Sequence, residues 1–353
     1  MAPVISELKR NETLFETVVV ATAQHRQMLD QVLSAFGIRM DVDLGLMQHD
    51  QRLAEFASRA LSSVSELLTR IKPDAVMIQG DTTTVATAAL AAFYQGICVG
   101  HVEAGLRSYD RGNPFPEEIN RRIAGVLANL HFAPTERARD NLRREGVPEG
   151  DVFVTGNTIV DALKSISLAD RFQNEALNEI DFDNKRLLLI TAHRRENHGA
   201  PLREICRAIA DIVGRFENVE AVYPVHLNPN VRDVVQAELA LTRGVHLVDP
   251  VSYDDLLLLM KRCYLILTDS GGIQEEAPSF HKPVLVLRQL TERPEVVEAG
   301  AAQIVGTDAS RIVDAATRLL TDSNLYAAMS AAENPFGDGH AAERIVSILA
   351  NRL

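Results

Sequence analysis

Three acidic motifs fall in the first third of the chain: Gln79-Gly80-Asp81-Thr82-Thr83-Thr84, His101-Val102-Glu103-Ala104-Gly105-Leu106-Arg107 and Pro116-Glu117-Glu118-Ile119-Asn120-Arg121. The first two follow strand-like apolar runs, residues 75–78 and 97–102. In open α/β sheets, ligands bind beyond the carboxyl ends of strands. Carboxylates at two such ends, with more in the loop beyond, suit proton transfer at a bound substrate. Each acid also has a packing explanation. Asp81 could cap a helix, and Glu117 and Glu118 could be first-turn acids that favour a helix dipole after two prolines. Their convergence on one cleft is the reading that favours chemistry. A cation is the competing use of such a cluster, but there is no HExxH and no local ligand spacing, so no metal is expected.

The second half carries residues suited to an anion. Tyr264-Leu265-Ile266-Leu267-Thr268-Asp269-Ser270-Gly271-Gly272-Ile273-Gln274-Glu275-Glu276 reads as a strand, a tight glycine turn and a helix start. Glycines let backbone approach a ligand, and a helix start presents free N–H groups to phosphate. Glu276 is placed to take ribose hydroxyls. The turn is neither GxGxxG nor a Walker loop, so neither a dinucleotide cofactor nor ATP is signalled. Thr191-Ala192-His193-Arg194-Arg195-Glu196 puts a histidine and two arginines at another strand end, which suits a diphosphate or another anion. Tyr223-Pro224-Val225-His226-Leu227-Asn228-Pro229 adds a further histidine, and Gln24-His25-Arg26-Gln27 opens a helix after an early strand. Alone, the basic segment reads equally well as a solvated loop, a lone His226 is more often structural, and Gln24–Gln27 read first as a polar helix start.

Strand-like and helix-like runs alternate throughout, which predicts doubly wound parallel sheets. The polar stretch 161–185 separates two such series. We expect two Rossmann-like domains facing a cleft: residues 1–160 plus 336–353, and residues 161–335. The last helix returns to the first domain after the break at residues 334–339. A chain of 353 residues with 46% hydrophobic content has ample apolar surface for two cores. Lys and Arg total 36 against 48 Asp and Glu, a net charge of −12 that argues against nucleic-acid binding. A local Arg/His cluster can still hold an anionic small molecule. Cys98, Cys206 and Cys263 lack CxxC spacing and read as reduced residues of a cytoplasmic protein. There is no membrane-length apolar run and no signal-peptide pattern.

Read together, these motifs closely resemble the non-hydrolysing UDP-N-acetylglucosamine 2-epimerases over almost the whole chain. The run from Thr22 to Asp30, the three acidic motifs, His193-Arg194-Arg195-Glu196, Pro224–Pro229, Thr268–Glu276 and Thr291-Glu292-Arg293-Pro294-Glu295 carry the resemblance in order. It implies a two-domain fold of the GT-B type, a homodimer, and reversible conversion of UDP-GlcNAc to UDP-ManNAc through elimination and re-addition of UDP. By motif, Asp81, Glu103 and Glu117 are the acid/base candidates. His193 lies by the diphosphate, Ser270, Gly271 and Gly272 bind phosphate, Glu276 binds ribose, and Arg293 lines the same site. No metal and no cofactor are implied. A second, activating UDP-GlcNAc in some bacterial members uses residues matching Gln24, Gln27, Glu117, Arg194 and His226. The family also has a first strand and a Gly-Thr-Arg-Pro-Glu-type loop before the Met-Ala-Pro at which this sequence starts. We therefore expect the first domain to lack a central strand, with Met1 an internal methionine or the sequence a fragment. The alternatives are a GT-B glycosyltransferase, a hydrolysing epimerase, and an inactive nucleotide-sugar-binding remnant.

Overall fold

A computed structural model describes residues 1–22, 33, 36–46, 51–112, 114–166 and 168–353. The chain divides into two compact units, Met1–Ile166 with Phe336–Leu353, and Ser167–Pro335. The helix Thr158–Ser165 thus belongs to the first unit. Within it Asp161 is buried and accepts a hydrogen bond from the Ala342 backbone at 2.7 Å, so this part of the polar stretch is packed structure.

Among the described residues, the first unit holds two sheets. β1 (Val20–Ala21) pairs in parallel with β2 (Val42–Asp43). β3 (Ala75–Gln79), β4 (Cys98–Val102), β5 (Leu130–Ala133) and β6 (Val152–Val154) form a parallel sheet in that order. The helix Leu53–Ile71 precedes β3 and buries Phe56, Ala60, Val64, Leu67 and Leu68, a stripe at helical spacing. It ends where Lys72 turns left-handed ahead of Pro73, which cannot continue a helix. The alanine-rich helix Thr83–Tyr94 packs its small face against Ala124 of the helix Glu117–Leu127. The terminal helix Ala341–Arg352 and the first helix Ala2–Arg10 bury Ile345, Val346, Leu349, Val4 and Leu8 around Val102, Leu130 and Phe132 of the sheet.

The second unit is one six-stranded parallel sheet. Its strands are β7 (Arg186–Thr191), β8 (Val219–Pro224), β9 (Val245–Val248), β10 (Leu265–Thr268), β11 (Val284–Val286) and β12 (Ala302–Ile304). The spatial order is β12-β11-β10-β7-β8-β9. Residues 187–190 and 265–267 are buried throughout, as expected of strands covered on both faces. The helices Ala200–Arg215 and Ala309–Thr321 supply much of that cover. From β7 the chain winds one way to β8 and β9, then returns to β10 and winds the other way. The β7–β10 junction is therefore the switch point at which such sheets open a ligand crevice.

Candidate functional site

In the first unit β3 and β4 end side by side, Gln79 paired with Val102. Gly80 follows with φ +81, and its N–H donates to the Val102 carbonyl at 3.1 Å. A Cβ there would stand 3.6 Å from Glu103 Oε2, so the turn before Asp81 lies against the Glu103 carboxylate. Glu103 itself is left-handed, φ +63, and accepts from Gln79 Nε2 at 2.8 Å. A non-glycine residue held at positive φ is uncommon outside sites that require it.

Asp81 is gripped from the helix Glu117–Leu127. Arg121 donates to its Oδ2 through Nε at 2.9 Å, and Nη2 stands 2.7 Å away. Arg121 follows Glu117 by one helical turn, so the same helix carries Glu117 and anchors Asp81. Sequence reasoning gave Arg121 no role, although its spacing from the acids was visible. Glu117 is half-buried at the helix start. Glu118 is fully buried, and accepts from Ser108 N at 3.0 Å, Ser108 Oγ at 3.2 Å and Tyr109 N at 3.3 Å. Of the two adjacent acids, Glu118 pins a loop. His101, just before Glu103, is wholly buried, and its Nε2 bonds the Gly80 carbonyl at 2.8 Å. Burial pushes its pKa down to about 4, so it is a neutral brace between the two acid-bearing turns.

In the second unit a cavity of about 360 Å³ opens at the switch point. Thr191 and His193 enter it from the end of β7, Pro224 and His226 from β8, and Ser270, Gly272 and Glu276 from the turn after β10. Its apolar lining is Pro250, Val251, Leu256 and Ile273, with Tyr253 beside Glu276. The Ser270 hydroxyl makes no capping bond to its own helix, Gly271–Glu276. The His193 and His226 rings stack at 5.3 Å. His226 Nδ1 accepts from the Asn228 backbone at 3.1 Å, which leaves the ring proton on Nε2. Burial lowers the His193 pKa, and Asp269 opposes the shift.

Glu276 is buried, and desolvation raises its pKa to about 8 even though the Tyr253 hydroxyl donates to Oε1 at 3.2 Å. Gly271 leaves room for Arg194, whose Nη2 lies 3.6 Å from where a Cβ would stand. Arg293 is not among the lining residues. Its Nε donates to Glu275, and its backbone N–H donates to Thr291 Oγ1 at 3.0 Å. The structure thus groups His193, His226, Ser270, Gly272 and Glu276, with Gly271 and Arg194 adjoining. Gln24 and Gln27 lie outside the described residues. Among the described residues no group of three His, Cys, Asp or Glu side chains is arranged for a metal, and no helix is long and apolar enough to cross a membrane.

An anion-suited turn, a pair of imidazoles and a buried carboxyl at one switch point fit a nucleotide-sugar enzyme, and comparison with known proteins agrees. A family model described as UDP-N-acetylglucosamine 2-epimerase matches residues 6–350. The UDP-N-acetylglucosamine 2-epimerase of Escherichia coli K12 is 50% identical over 357 residues, covering 99% of this chain and 95% of that protein. The enzyme of the same name from Bacillus subtilis is 51% identical over 349 residues, covering 99% of this chain and 91% of its own. The crystal structure of UDP-GlcNAc 2-epimerase from Neisseria meningitidis bound to UDP-GlcNAc superposes with a TM-score of 0.88 at 46% identity, covering 99% of this chain and 96% of that one. With the motifs, the fold and the relatives in agreement along its length, the chain belongs to the UDP-N-acetylglucosamine 2-epimerase family.

Proposed function

We propose that this chain interconverts UDP-N-acetylglucosamine and UDP-N-acetylmannosamine by inverting C2. The C2 hydrogen has no adjacent carbonyl, so simple enolisation is closed. In the proposed reaction a base takes the C2 proton, the C–H electron pair forms the C1–C2 double bond, and the C1–O bond to UDP breaks. UDP then re-adds to C1 of the 2-acetamidoglucal while a proton reaches C2 from the other face. This needs positioned acid/base groups and stabilisation of charge on the departing diphosphate. We assign proton transfer to Asp81, Glu103 and Glu117, and the diphosphate to His193, Ser270, Gly271 and Gly272. Glu276 is assigned to the ribose and Arg293 to the same site. What carries the reading is the switch-point cavity of the second unit, lined by the Ser270 turn, His193 and Glu276, in a chain of this family. That membership favours epimerisation over glycosyl transfer.

We also assign an activating UDP-GlcNAc to Gln24, Gln27, Glu117, Arg194 and His226. Hyperbolic kinetics from UDP-ManNAc, unchanged by added UDP-GlcNAc, would remove that assignment. A cytoplasmic location fits three cysteines that are all unpaired. The homodimer fits exposed apolar side chains on two packed helices: Phe93 and Tyr94 on one, Ile123 and Val126 on the other. Sedimentation should give a dimer that Val126→Glu converts to monomer; a wild-type monomer at micromolar concentration rejects it.

The activity is tested by incubating the protein with UDP-GlcNAc in D2O and following C1 and C2 by NMR. UDP-ManNAc carrying deuterium at C2 is expected. Release of free N-acetylmannosamine, or no exchange at C2 while UDP is bound, rejects the proposal.

A further inference from the structure

Asp269 follows the last residue of β10 and is completely buried. Its Oδ2 accepts three hydrogen bonds: from the backbone N–H of His193 at 2.9 Å, from that of Arg194 at 2.8 Å, and from Asn197 Nδ2 at 2.9 Å. These bonds brace the turn after β7. Its other oxygen, Oδ1, is shut off from solvent and has no hydrogen-bond partner among the described residues. An unpartnered buried carboxylate oxygen is costly, so its presence calls for a use. His193 Nδ1 stands 3.9 Å from it, an ion-pair contact that a small ring rotation turns into a hydrogen bond. Bonds at functional imidazoles are often long until the ligand is in place.

We propose that Asp269 is a positioning residue for His193, holding the ring proton on Nδ1 and leaving Nε2 to take up a proton when an anionic diphosphate enters the cavity. This rests on the nucleotide reading of that cavity. A neutral ring with its proton on Nδ1 presents only a lone pair at Nε2, which a phosphate oxygen repels. Uptake of one proton from solvent converts Nε2 into a donor. The resulting imidazolium is flanked by the Asp269 carboxylate on one nitrogen and the diphosphate on the other. Arg194, His198 and the stacked His226 also act on this ring and disfavour its charge, and Asp269 opposes them. His193 is then neutral in the free protein and charged in the complex, matched to the charge that builds on a departing UDP.

The test uses the whole protein with 15N-labelled histidine, as wild type, Asp269→Asn and Asn197→Ala. Long-range 1H–15N spectra read the His193 tautomer. Calorimetry of UDP binding in buffers of differing ionisation enthalpy reads proton uptake. Wild type should show the Nδ1–H tautomer and, near pH 7.5, take up as much as one proton more on binding UDP than Asp269→Asn does. In Asp269→Asn an amide N–H faces Nδ1, so the proton should move to Nε2 and the extra uptake should vanish. Its kcat should fall about 10- to 100-fold, the range for loss of an outer partner, with KM nearly unchanged. Asn197→Ala loosens the same turn and should keep the wild-type tautomer and uptake. An Nε2–H tautomer in wild type, or wild-type behaviour of Asp269→Asn, overturns the proposal. If Asp269→Asn does not fold, the wild-type tautomer decides alone. The tautomer and proton-uptake readouts need no turnover, so a protein that takes up the proton but fails to epimerise rejects the proposed activity and leaves this inference standing.

Discussion

Glu117 and Glu118 are adjacent and identical in chemistry, and we propose opposite uses for them. Glu118 is buried and accepts from Ser108 and Tyr109, with Arg121 and Arg122 at 3.5 and 3.6 Å. Replacing it by Gln turns an acceptor-only group into one that points a donor at other donors. Glu118→Gln should cost about 1–3 kcal/mol of stability, the scale for an unsatisfied buried group, read as a lowered Tm. Glu117→Gln should leave Tm within a degree or so of wild type and lower kcat by roughly 10² to 10⁴, the usual worth of a positioned acid or base. Equal losses of stability in both variants would reject the distinction. From sequence the pair was one motif, because two acids after prolines read alike. Only the loop at residues 108–109, folded back on the helix, separates them. The resemblance still selected Glu117. It gave nothing for Arg121, whose ion pair with Asp81 joins residues far apart in the chain.

At the level of elements, what the sequence announced depends on how each strand is made. β7 and β10 are continuous apolar runs and were legible as strands, as was the glycine turn after β10. β2 and β12, of two and three residues, were not read: β12 exists by pairing with β11, and no local pattern announces so short a strand. Gly105, three residues past the end of β4, is a place of close approach whose geometry is severe. Gly105 has φ +88, and a Cβ there would lie 2.1 Å from the Ala138 carbonyl oxygen of the helix Glu136–Arg144. That oxygen is backbone and cannot swing away. Gly105→Ala must therefore displace the helix or the strand end, at roughly 3 kcal/mol or more from backbone strain plus overpacking. Because Glu103 sits two residues earlier, activity should fall with stability. A variant with wild-type Tm would show that the contact relaxes freely. The basic loop after β7 was read as anion-binding, but Glu196 in it is tied to Arg288 at 2.6 Å, a brace to the loop after β11.

Across the whole molecule, net charge says little about how acidity acts, because the groups that matter are buried and differ between the units. In the first unit His101 and His131 pair across β4 and β5, and burial drives each from 6.5 down to about 4. Between those values the unfolded chain binds two protons that the folded unit refuses. Unfolding free energy therefore falls as pH drops from 6.5 towards 4, by roughly 3 kcal/mol per histidine at most. Asp161, raised by burial, works the other way with one proton against two. In the second unit Glu276 is raised from 4.5 to about 8. Between pH 6.5 and 8 the folded unit keeps a proton there that the unfolded chain has lost, so stability falls as pH rises, by about 2 kcal/mol over that interval. Hydrogen exchange corrected for intrinsic rates should show β4 and β5 losing protection from pH 6.5 to 4.5, and β10 with its following helix losing protection from pH 6.5 to 8. Glu276→Gln carries no proton to lose and should flatten the second trend alone. It should also remove a linked effect on binding. An ionised Glu276 can accept from two ribose hydroxyls where a protonated one accepts less, so its ionisation on binding opposes the proton uptake at His193, and wild-type UDP affinity should fall less steeply from pH 6.5 to 8 than that of Glu276→Gln. The same slope of affinity against pH in wild type and Glu276→Gln would remove Glu276 from the ribose site.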